Sequence, residues 1–225
     1  MEDNLHKDSS FVDLFSESLG QNKVEPIEEL VNNALEVVPE EDLLECVPLV
    51  AKLYKIYKTG CGIRERMGIK KLAAFLCEFN KGLTDEEKLQ KYREKLKNNE
   101  KFRNQELEYI LVLIDRYIGT EKPEILAKLY WAYLNGGLDM TAFTQYAEVI
   151  DRFLPEDKER LLSELSGKKH YTKIDSSILR LVALGLMIEK ESDFVSHSGV
   201  IAMMEAKKKE YILTDFGKKL VEILK

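Results

Sequence analysis

The chain has 225 residues, of which 44% are hydrophobic and 33% are charged, and its formal net charge is −6. This balance is typical of a globular protein, and the small numbers of Pro (5) and Gly (12) exclude a low-complexity chain and a many-stranded β architecture. The three cysteines lack CxxC spacing, and the sequence shows neither a signal peptide nor a long uncharged apolar run. We therefore expect a cytoplasmic protein with reduced thiols.

Apolar residues that recur every three or four positions predict a helical, bundle-like domain at residues 25–138. A loose N-terminal segment at 1–24, containing one short helix, is expected to precede it. Pro48 predicts a kink within a helix at 41–57, and Asn98-Asn99 predicts a break between two later helices. The other helices of this domain are predicted at residues 25–38, 63–79, 86–97, 102–117 and 120–134.

The last part of the chain combines helices with two short strands, and we expect a separate domain at residues 139–225. Gly185 suits the left-handed C-cap of a helix, and Leu224 belongs to a closing helix. The predicted order is three helices at 141–153, 156–165 and 172–184, a strand at 186–190, a long loop at 191–210, a second strand at 211–214 and the closing helix.

The residues around the two strands are Leu184-Gly-Leu-Met-Ile188 and Tyr211-Ile-Leu-Thr-Asp-Phe-Gly217. They resemble the end of many bacterial winged-helix domains, in which a helix ends at Leu-Gly-Leu-Ile and the return strand carries Tyr-x-Leu-Thr-x-x-Gly. The resemblance covers roughly residues 140–225. It implies a recognition helix at 172–184 and a wing between the strands. The expected fold is mainly α, with a winged-helix-like C-terminal domain that contains a small β-hairpin.

A second resemblance concerns the helical domain, over roughly residues 43–135. It is carried by Val47-Pro-Leu49, Ile63-Arg-Glu-Arg66, Lys70-Lys-Leu-Ala-Ala-Phe-Leu76, Leu111-Val-Leu-Ile-Asp-Arg116 and Lys128-Leu-Tyr-Trp-Ala-Tyr133. These residues are similar in pattern to a group of bacterial and prophage-type helical proteins that have no assigned activity. The resemblance implies an association with mobile elements, such as phage defence or its counterpart, and it assigns no functional residue.

Basic residues near the predicted recognition helix and in the wing are the candidate nucleic-acid contacts, because guanidinium and ammonium groups bind phosphates and base edges. However, residues 140–225 hold equal numbers of basic and acidic residues, and the helix has few other groups for reading bases. A winged helix also serves protein contacts, which we favour over DNA binding. The candidate set is Lys168, Lys169, His170, Lys173, Arg180, Lys207, Lys208 and Lys209.

The sequence contains no recognisable catalytic, cofactor-binding or metal-binding motif. His6, His170 and His197 have no second ligand at metal spacing, and neither GxxxxGK[ST] nor GxSxG occurs. A basic run between Lys88 and Arg103 could meet nucleic acid or anionic lipid, although a solvated helix face explains it more simply.

We therefore predict a non-enzymatic bacterial or phage-related module that binds or regulates a protein partner, without cofactor, metal or small-molecule substrate. One alternative is a winged-helix DNA-binding regulator. The other is a membrane-associated effector of a phage-defence type, which would use the kinked helix at 41–57. A membrane is the least favoured of these partners, and the sequence makes no prediction of oligomeric state.

Overall fold

The computed structural model describes residues near the N-terminus and most of the chain from residue 63 onward. The described residues are 12, 15, 16, 18, 19, 63–82, 86–163, 175–190 and 210–225. Within them the protein is mainly helical, with eight α-helices and one two-stranded antiparallel sheet, which confirms the predicted class of secondary structure. Contacts group the residues into two compact units, Met1–Asp151 and Arg152–Lys225. The predicted helices at 25–38 and 41–57 lie outside the described residues.

The first unit is built around a helix that is buried on most of its surface. The helices of the unit are α1 (Ile63–Lys81), α2 (Glu86–Asn98), α3 (Glu100–Arg116), α4 (Glu121–Leu134) and α5 (Met140–Asp151). The central helix is α4, which carries Ile125, Leu126, Leu129, Tyr130 and Trp131 in the core, and a helix that is apolar nearly all round has to be covered on several sides. Both α1 and α5 pack along it, and α3 packs against α1 and α2.

Asn99 separates α2 from α3, as the sequence predicts. Its backbone leaves the helical conformation, and its side-chain oxygen accepts a hydrogen bond from the N–H of Phe102 at 3.0 Å. An asparagine at this position satisfies one of the N–H groups that the first turn of a helix leaves free. Asn99 is therefore the N-cap of α3, and α3 begins there in a new direction.

Aromatic side chains from α1, α4 and α5 form the centre of the first unit. The Trp131 ring stacks on Phe79 with 4.8 Å between centroids, and its indole N–H donates a hydrogen bond to the Phe79 carbonyl. Phe75 and Phe143 pack on Tyr130 with centroid distances of 6.3 and 5.8 Å. Buried aromatic pairs in these tilted and stacked arrangements contribute beyond the area they bury. Trp131 is therefore a buried residue of the helical core.

The N-terminal residues that the structure describes are packed into the first unit. Val12, Phe15 and Leu19 are buried, and Phe15 lies 5.9 Å from Phe75 between ring centroids. Residues 12, 15, 16 and 18 are helical, in agreement with the predicted short helix. A loose segment is expected at 1–24 from its polar beginning, but these residues are anchored because their apolar face completes the aromatic core.

The contacts of α5 place it in the first unit. The Tyr117 hydroxyl donates to the Ala147 carbonyl at 2.8 Å, and Arg116 forms an ion pair with Glu148 at 2.9 Å. The sequence pattern puts a domain division between residues 138 and 139, after the two glycines that end α4, whereas the units divide between Asp151 and Arg152. The difference arises because a glycine turn can reverse the chain within a unit as readily as it can link two domains.

The second unit contains three helices and the antiparallel sheet. Met187 pairs with Leu213 and Lys190 with Glu210, so the two strands are in continuous register. The elements are α6 (Pro155–Ser163), α7 (Ser176–Ala183), β1 (Met187–Lys190), β2 (Glu210–Leu213) and α8 (Asp215–Leu224). Strand β1 follows α7 directly, and α8 packs against both β2 and α6.

Two glycines shape the junction between α7, the sheet and α8. Gly185 has a φ of +73°, which L side chains rarely adopt, and it ends α7 as predicted. Gly217 lies against the backbone of Leu186, where an added Cβ would come within 2.1 Å of the carbonyl oxygen. That same carbonyl accepts a hydrogen bond from the N–H of Thr214 at 3.0 Å. The start of α8 is therefore held directly on the chain that leaves α7.

Candidate functional site

Arg180 is the one predicted nucleic-acid contact that falls within the described residues. It lies on α7 and is partly buried. The other seven predicted contacts lie outside the described residues, so their arrangement stays a prediction. They are Lys168, Lys169, His170, Lys173, Lys207, Lys208 and Lys209.

The Arg180 guanidinium is bound by two carboxylates of α6. Its Nε donates to Asp157 Oδ2 at 2.9 Å, and its Nη2 donates to Asp157 Oδ1 and Glu156 Oε1, both at 2.8 Å. The hydrogen bond with Asp157 raises the pKa of Arg180 above its ordinary value. The two carboxylates neutralise the guanidinium charge and occupy its Nε and Nη2 donors, which weakens its attraction for a phosphate. The positive charge expected to face a nucleic acid is thus compensated within the unit.

Asp157 is the buried centre of this network. Its side chain is 0% exposed and also accepts hydrogen bonds from Ser177 Oγ at 2.7 Å and from the N–H of Leu154 at 2.9 Å. Burial alone would raise the pKa of Asp157, but the hydrogen bonds from Arg180, Leu154 and Ser177 together outweigh it, so the pKa is lowered. The carboxylate therefore stays charged and joins the start of α6 to α7.

Asp157 is absent from the sites predicted from the sequence, although the sequence contains a signal for it. It is the third residue of α6 and lies four residues before the buried Leu161, which places both residues on the inner face of the helix. An acidic residue at the third position commonly accepts a hydrogen bond from the residue that caps the helix. Its pairing with Ser177 and Arg180 could not be found in this way, because those residues belong to the next helix.

The exposed face of α7 is uncharged. Ser176, Leu179 and Ala183 are exposed and recur at helical spacing, and Leu179 is 56% exposed. Asp175 caps the helix by accepting a hydrogen bond from the N–H of Ile178 at 2.9 Å, and it pairs with Arg160 at 3.1 Å. Apart from the serine hydroxyl, this face has no side-chain donor or acceptor that could read a base edge.

A second apolar side chain is exposed on the strand that follows α7. Ile188 of β1 is 53% exposed, while its neighbour Met187 is buried, as the alternation of side chains along a strand requires. We call Leu179, Ala183 and Ile188 the exposed apolar set of the second unit. Single exposed apolar residues are common on protein surfaces, but Leu179 and Ala183 share one face of α7, and this makes that face a candidate for protein contact.

The first unit holds a buried polar cluster that is also absent from the sites predicted from the sequence. Glu106 is 5% exposed and accepts a hydrogen bond from the Tyr130 hydroxyl at 3.3 Å, while Tyr133 also hydrogen-bonds to it. The Tyr92 and Tyr130 hydroxyls share a further hydrogen bond. Glu106 precedes the buried Ile110 by four residues on α3, so helical spacing alone could have placed it on the inner face.

Burial raises the pKa of Glu106, although the hydrogen bonds from Tyr130 and Tyr133 and the attraction of Lys95 oppose the shift. Burial likewise raises the pKa of Tyr130 well above its ordinary value. The tyrosines therefore remain neutral donors, and their hydroxyls satisfy the Glu106 carboxyl group. This arrangement is suited to holding α2, α3 and α4 together in a specific register.

Two further properties of the described part of the chain bear on function. No group of three or more His, Cys, Asp and Glu side chains within it could hold a metal ion. None of its helices combines the length and the apolar character that crossing a membrane requires. The helix at 41–57 proposed for membrane association, and the histidines His6, His170 and His197, lie outside the described residues.

The basic run on α2 is partly engaged in local contacts. Lys91 pairs with Glu87 at 2.6 Å, Lys95 lies 3.8 Å from the centre of the Phe102 ring, and Arg93 binds the Leu19 carbonyl. These contacts agree with the interpretation of the run as a solvated helix face.

Comparison of the chain with protein-family models, curated proteins and solved structures found no match.

Proposed function

We propose that the chain is a non-enzymatic protein-interaction module of bacterial or phage-related origin, and that its second unit contacts a protein partner through the exposed face of α7. The observation that carries this proposal is the chemistry of that face. Leu179 is more than half exposed, whereas Arg180, the one basic residue of α7, is bound by Asp157 and Glu156. A surface of this kind favours an apolar protein contact over an anionic nucleic acid.

The scaffold that we propose for this contact is a winged helix. In that arrangement α7 is the recognition helix, and β1 and β2 are the strands of the wing. The order α6, α7, β1, β2, α8 and the antiparallel pairing of the strands support the assignment. Because the same scaffold binds DNA in some proteins and proteins in others, the choice between them depends on the side chains that α7 exposes.

Titration of duplex DNA with the full-length protein tests the choice of partner. We expect no change in fluorescence anisotropy of a labelled mixed-sequence duplex at low salt. Binding that weakens by tenfold or more between about 50 and about 200 mM salt would support the DNA-binding alternative, because released counterions give phosphate contacts that dependence. The variants Lys168→Ala and Lys207→Ala would then lose affinity.

Site-specific photo-crosslinking tests the surface itself. A photoreactive phenylalanine at position 179 of the full-length chain should capture a discrete protein in cells, and the additional substitution Ile188→Asp should abolish the capture. Val112, a 61% exposed apolar residue of α3, provides the matched control. The surface assignment is wrong if Val112→Asp abolishes the capture while Ile188→Asp leaves it intact.

A further inference from the structure

Glu106 is a buried carboxyl group at the junction of three helices. It belongs to α3, and it accepts a hydrogen bond at 3.3 Å from the hydroxyl of Tyr130 on α4. Tyr133, on the next turn of α4, also hydrogen-bonds to it. A carboxylate charge costs more in the interior of a protein than in water, even where hydroxyls donate to it. The gain or loss of one proton at Glu106 therefore changes the stability of the packing around it.

The hydrogen bonds of the cluster run in one direction, from α2 to Glu106. The Tyr130 hydroxyl has a single hydrogen, which it donates to Glu106. The hydrogen in the bond between the Tyr92 and Tyr130 hydroxyls therefore comes from Tyr92. The chain of donors starts at Tyr92 of α2, passes through Tyr130 of α4 and ends at Glu106 of α3, so that one carboxyl group connects the three helices.

A basic side chain of α2 also faces this cluster. Lys95 Nζ lies 3.8 Å from the centre of the Phe102 ring, one helical turn before Glu106 on α3. Among the described residues, the titratable and charged side chains that act on Glu106 are Lys95 and Tyr92 of α2 and Tyr130 and Tyr133 of α4. Burial raises the pKa of Glu106, and the tyrosine hydrogen bonds and the attraction of Lys95 only oppose this shift. The packed helices thus hold the protonated carboxyl group more tightly than water does.

Helix α2 is the element whose packing depends most directly on the cluster. Its buried side chains in the described part of the helix are Leu89, Tyr92 and Leu96, which form one row at helical spacing. This row packs against α3 and α4, whereas α4 is buried on several sides. Elements with few buried contacts open locally at a lower free energy than the core does. We therefore expect α2 to open before α4.

We propose that Glu106, Tyr130 and Tyr92 form a proton-dependent latch, which holds α2 against α3 and α4 while Glu106 is protonated and releases α2 when Glu106 ionises. Opening admits water to the carboxylate and so removes the cost of a buried charge. Arg93 of α2 donates two hydrogen bonds to the Leu19 carbonyl, at 3.1 and 2.7 Å. Release of α2 therefore also frees the end of the N-terminal helix from this contact.

The direction of the pH effect follows from the closed and open states. In the open state Glu106 returns to its ordinary pKa of 4.5, whereas in the closed state its pKa is higher. The latch is therefore fully closed below pH 4.5, and it opens as the pH rises through the higher pKa of the closed state. It lies within the first unit, and it does not depend on the contact proposed for α7.

Hydrogen exchange of the full-length protein at a series of pH values tests the latch. Exchange rates are corrected for the intrinsic effect of pH and expressed as protection factors. The amides of residues 89–96 should be protected at least about tenfold less than the core amides of α4, because α2 opens by itself. Their protection should also fall by at least about threefold as the pH rises from about 4.5 to about 8. Equal protection of α2 and α4 would overturn the proposal, as would protection of α2 that does not change with pH.

A pair of variants on α3 assigns the pH dependence to Glu106. Glu106→Gln should abolish the fall in α2 protection, because the neutral amide resembles the protonated carboxyl group at every pH. Glu108→Gln, at an exposed position of the same helix, should show the same fall as wild type. A fall that persists in Glu106→Gln would exclude Glu106 as the group that controls α2.

Carboxyl-carbon NMR of the wild-type protein decides the question if Glu106→Gln does not fold. The fall in α2 protection should level off at the pH at which the Glu106 carboxyl group of the native protein titrates, because the closed and open states bind the same number of protons above it. A fall that continues well beyond that pH would belong to another group and would overturn the proposal.

Discussion

Arg180 and Asp157 are joined by two parallel hydrogen bonds, from Nε to Oδ2 at 2.9 Å and from Nη2 to Oδ1 at 2.8 Å. Asp157 is fully buried, whereas Arg180 keeps part of its side chain at the surface. A buried carboxylate that loses its counter-charge is strongly destabilising. Arg180, which the sequence predicts as a nucleic-acid contact, is therefore needed to hold α7 on α6.

We expect Asp157→Asn to lower the free energy of unfolding of the second unit by about 2 kcal/mol, because the neutral amide keeps the shape but leaves Arg180 without its buried partner. Urea unfolding followed by far-UV circular dichroism reports both units, while fluorescence of Trp131 reports the first. Only the unfolding transition measured by circular dichroism should move to a lower urea concentration. Glu156→Gln is the control, because that partner of Arg180 is 56% exposed and such pairs contribute little.

Acid should weaken the second unit through Asp157. The pKa of this carboxyl group is lowered from its ordinary value of 3.8 by folding, so the unfolded chain binds the proton more tightly than the native one. The resulting stabilisation is complete above pH 3.8 and is lost as the pH falls through the lower native pKa. Chemical denaturation at a series of acidic pH values should show this loss in wild type and a smaller one in Asp157→Asn. An equal loss of stability with falling pH in the two proteins would contradict this prediction.

Glu106 should give the first unit a pH dependence of opposite sign. Burial raises its pKa above the ordinary value of 4.5, so the native state holds the proton more tightly. The contribution of Glu106 to the stability of the first unit is fully present below pH 4.5 and is lost as the pH rises through the higher native pKa. We expect Glu106→Gln to remove this slope and to raise stability at neutral pH, measured by Trp131 fluorescence during urea unfolding. Glu108→Gln, at an exposed position on the same helix, should retain the slope.

Two glycine substitutions should have opposite effects on stability. Gly217→Ala would bring a Cβ into steric overlap with the Leu186 carbonyl oxygen, and we expect the free energy of unfolding to fall by about 2 kcal/mol as α8 is forced away from the backbone of Leu186. Gly68 lies within α1 with no atom within 4 Å of its added Cβ. Gly68→Ala should raise the free energy of unfolding by roughly 0.5–1 kcal/mol. Thermal unfolding of the two variants checks both, and a stabilised Gly217→Ala would refute the close contact.

The order of helices and strands could be predicted because it depends on local properties of the chain. The spacing of apolar residues predicted α1 and α4, Asn98-Asn99 predicted the break before α3, and Gly185 predicted the end of α7. Each of these signals involves residues within one or two helical turns of one another. The same spacing could also have placed Glu106 on a buried face.

The partners of the charged side chains were decided by the tertiary structure alone. Arg180 meets Asp157 across 23 residues, and Arg93 meets the Leu19 carbonyl across 74 residues. Whether an arginine remains at the surface or pairs with a buried carboxylate depends on which helix packs beside it, and helical spacing contains no such information. Sequence could therefore predict the helix α7, while the packing of α6 against it determined that Arg180 is bound by carboxylates and that the exposed face of α7 is uncharged.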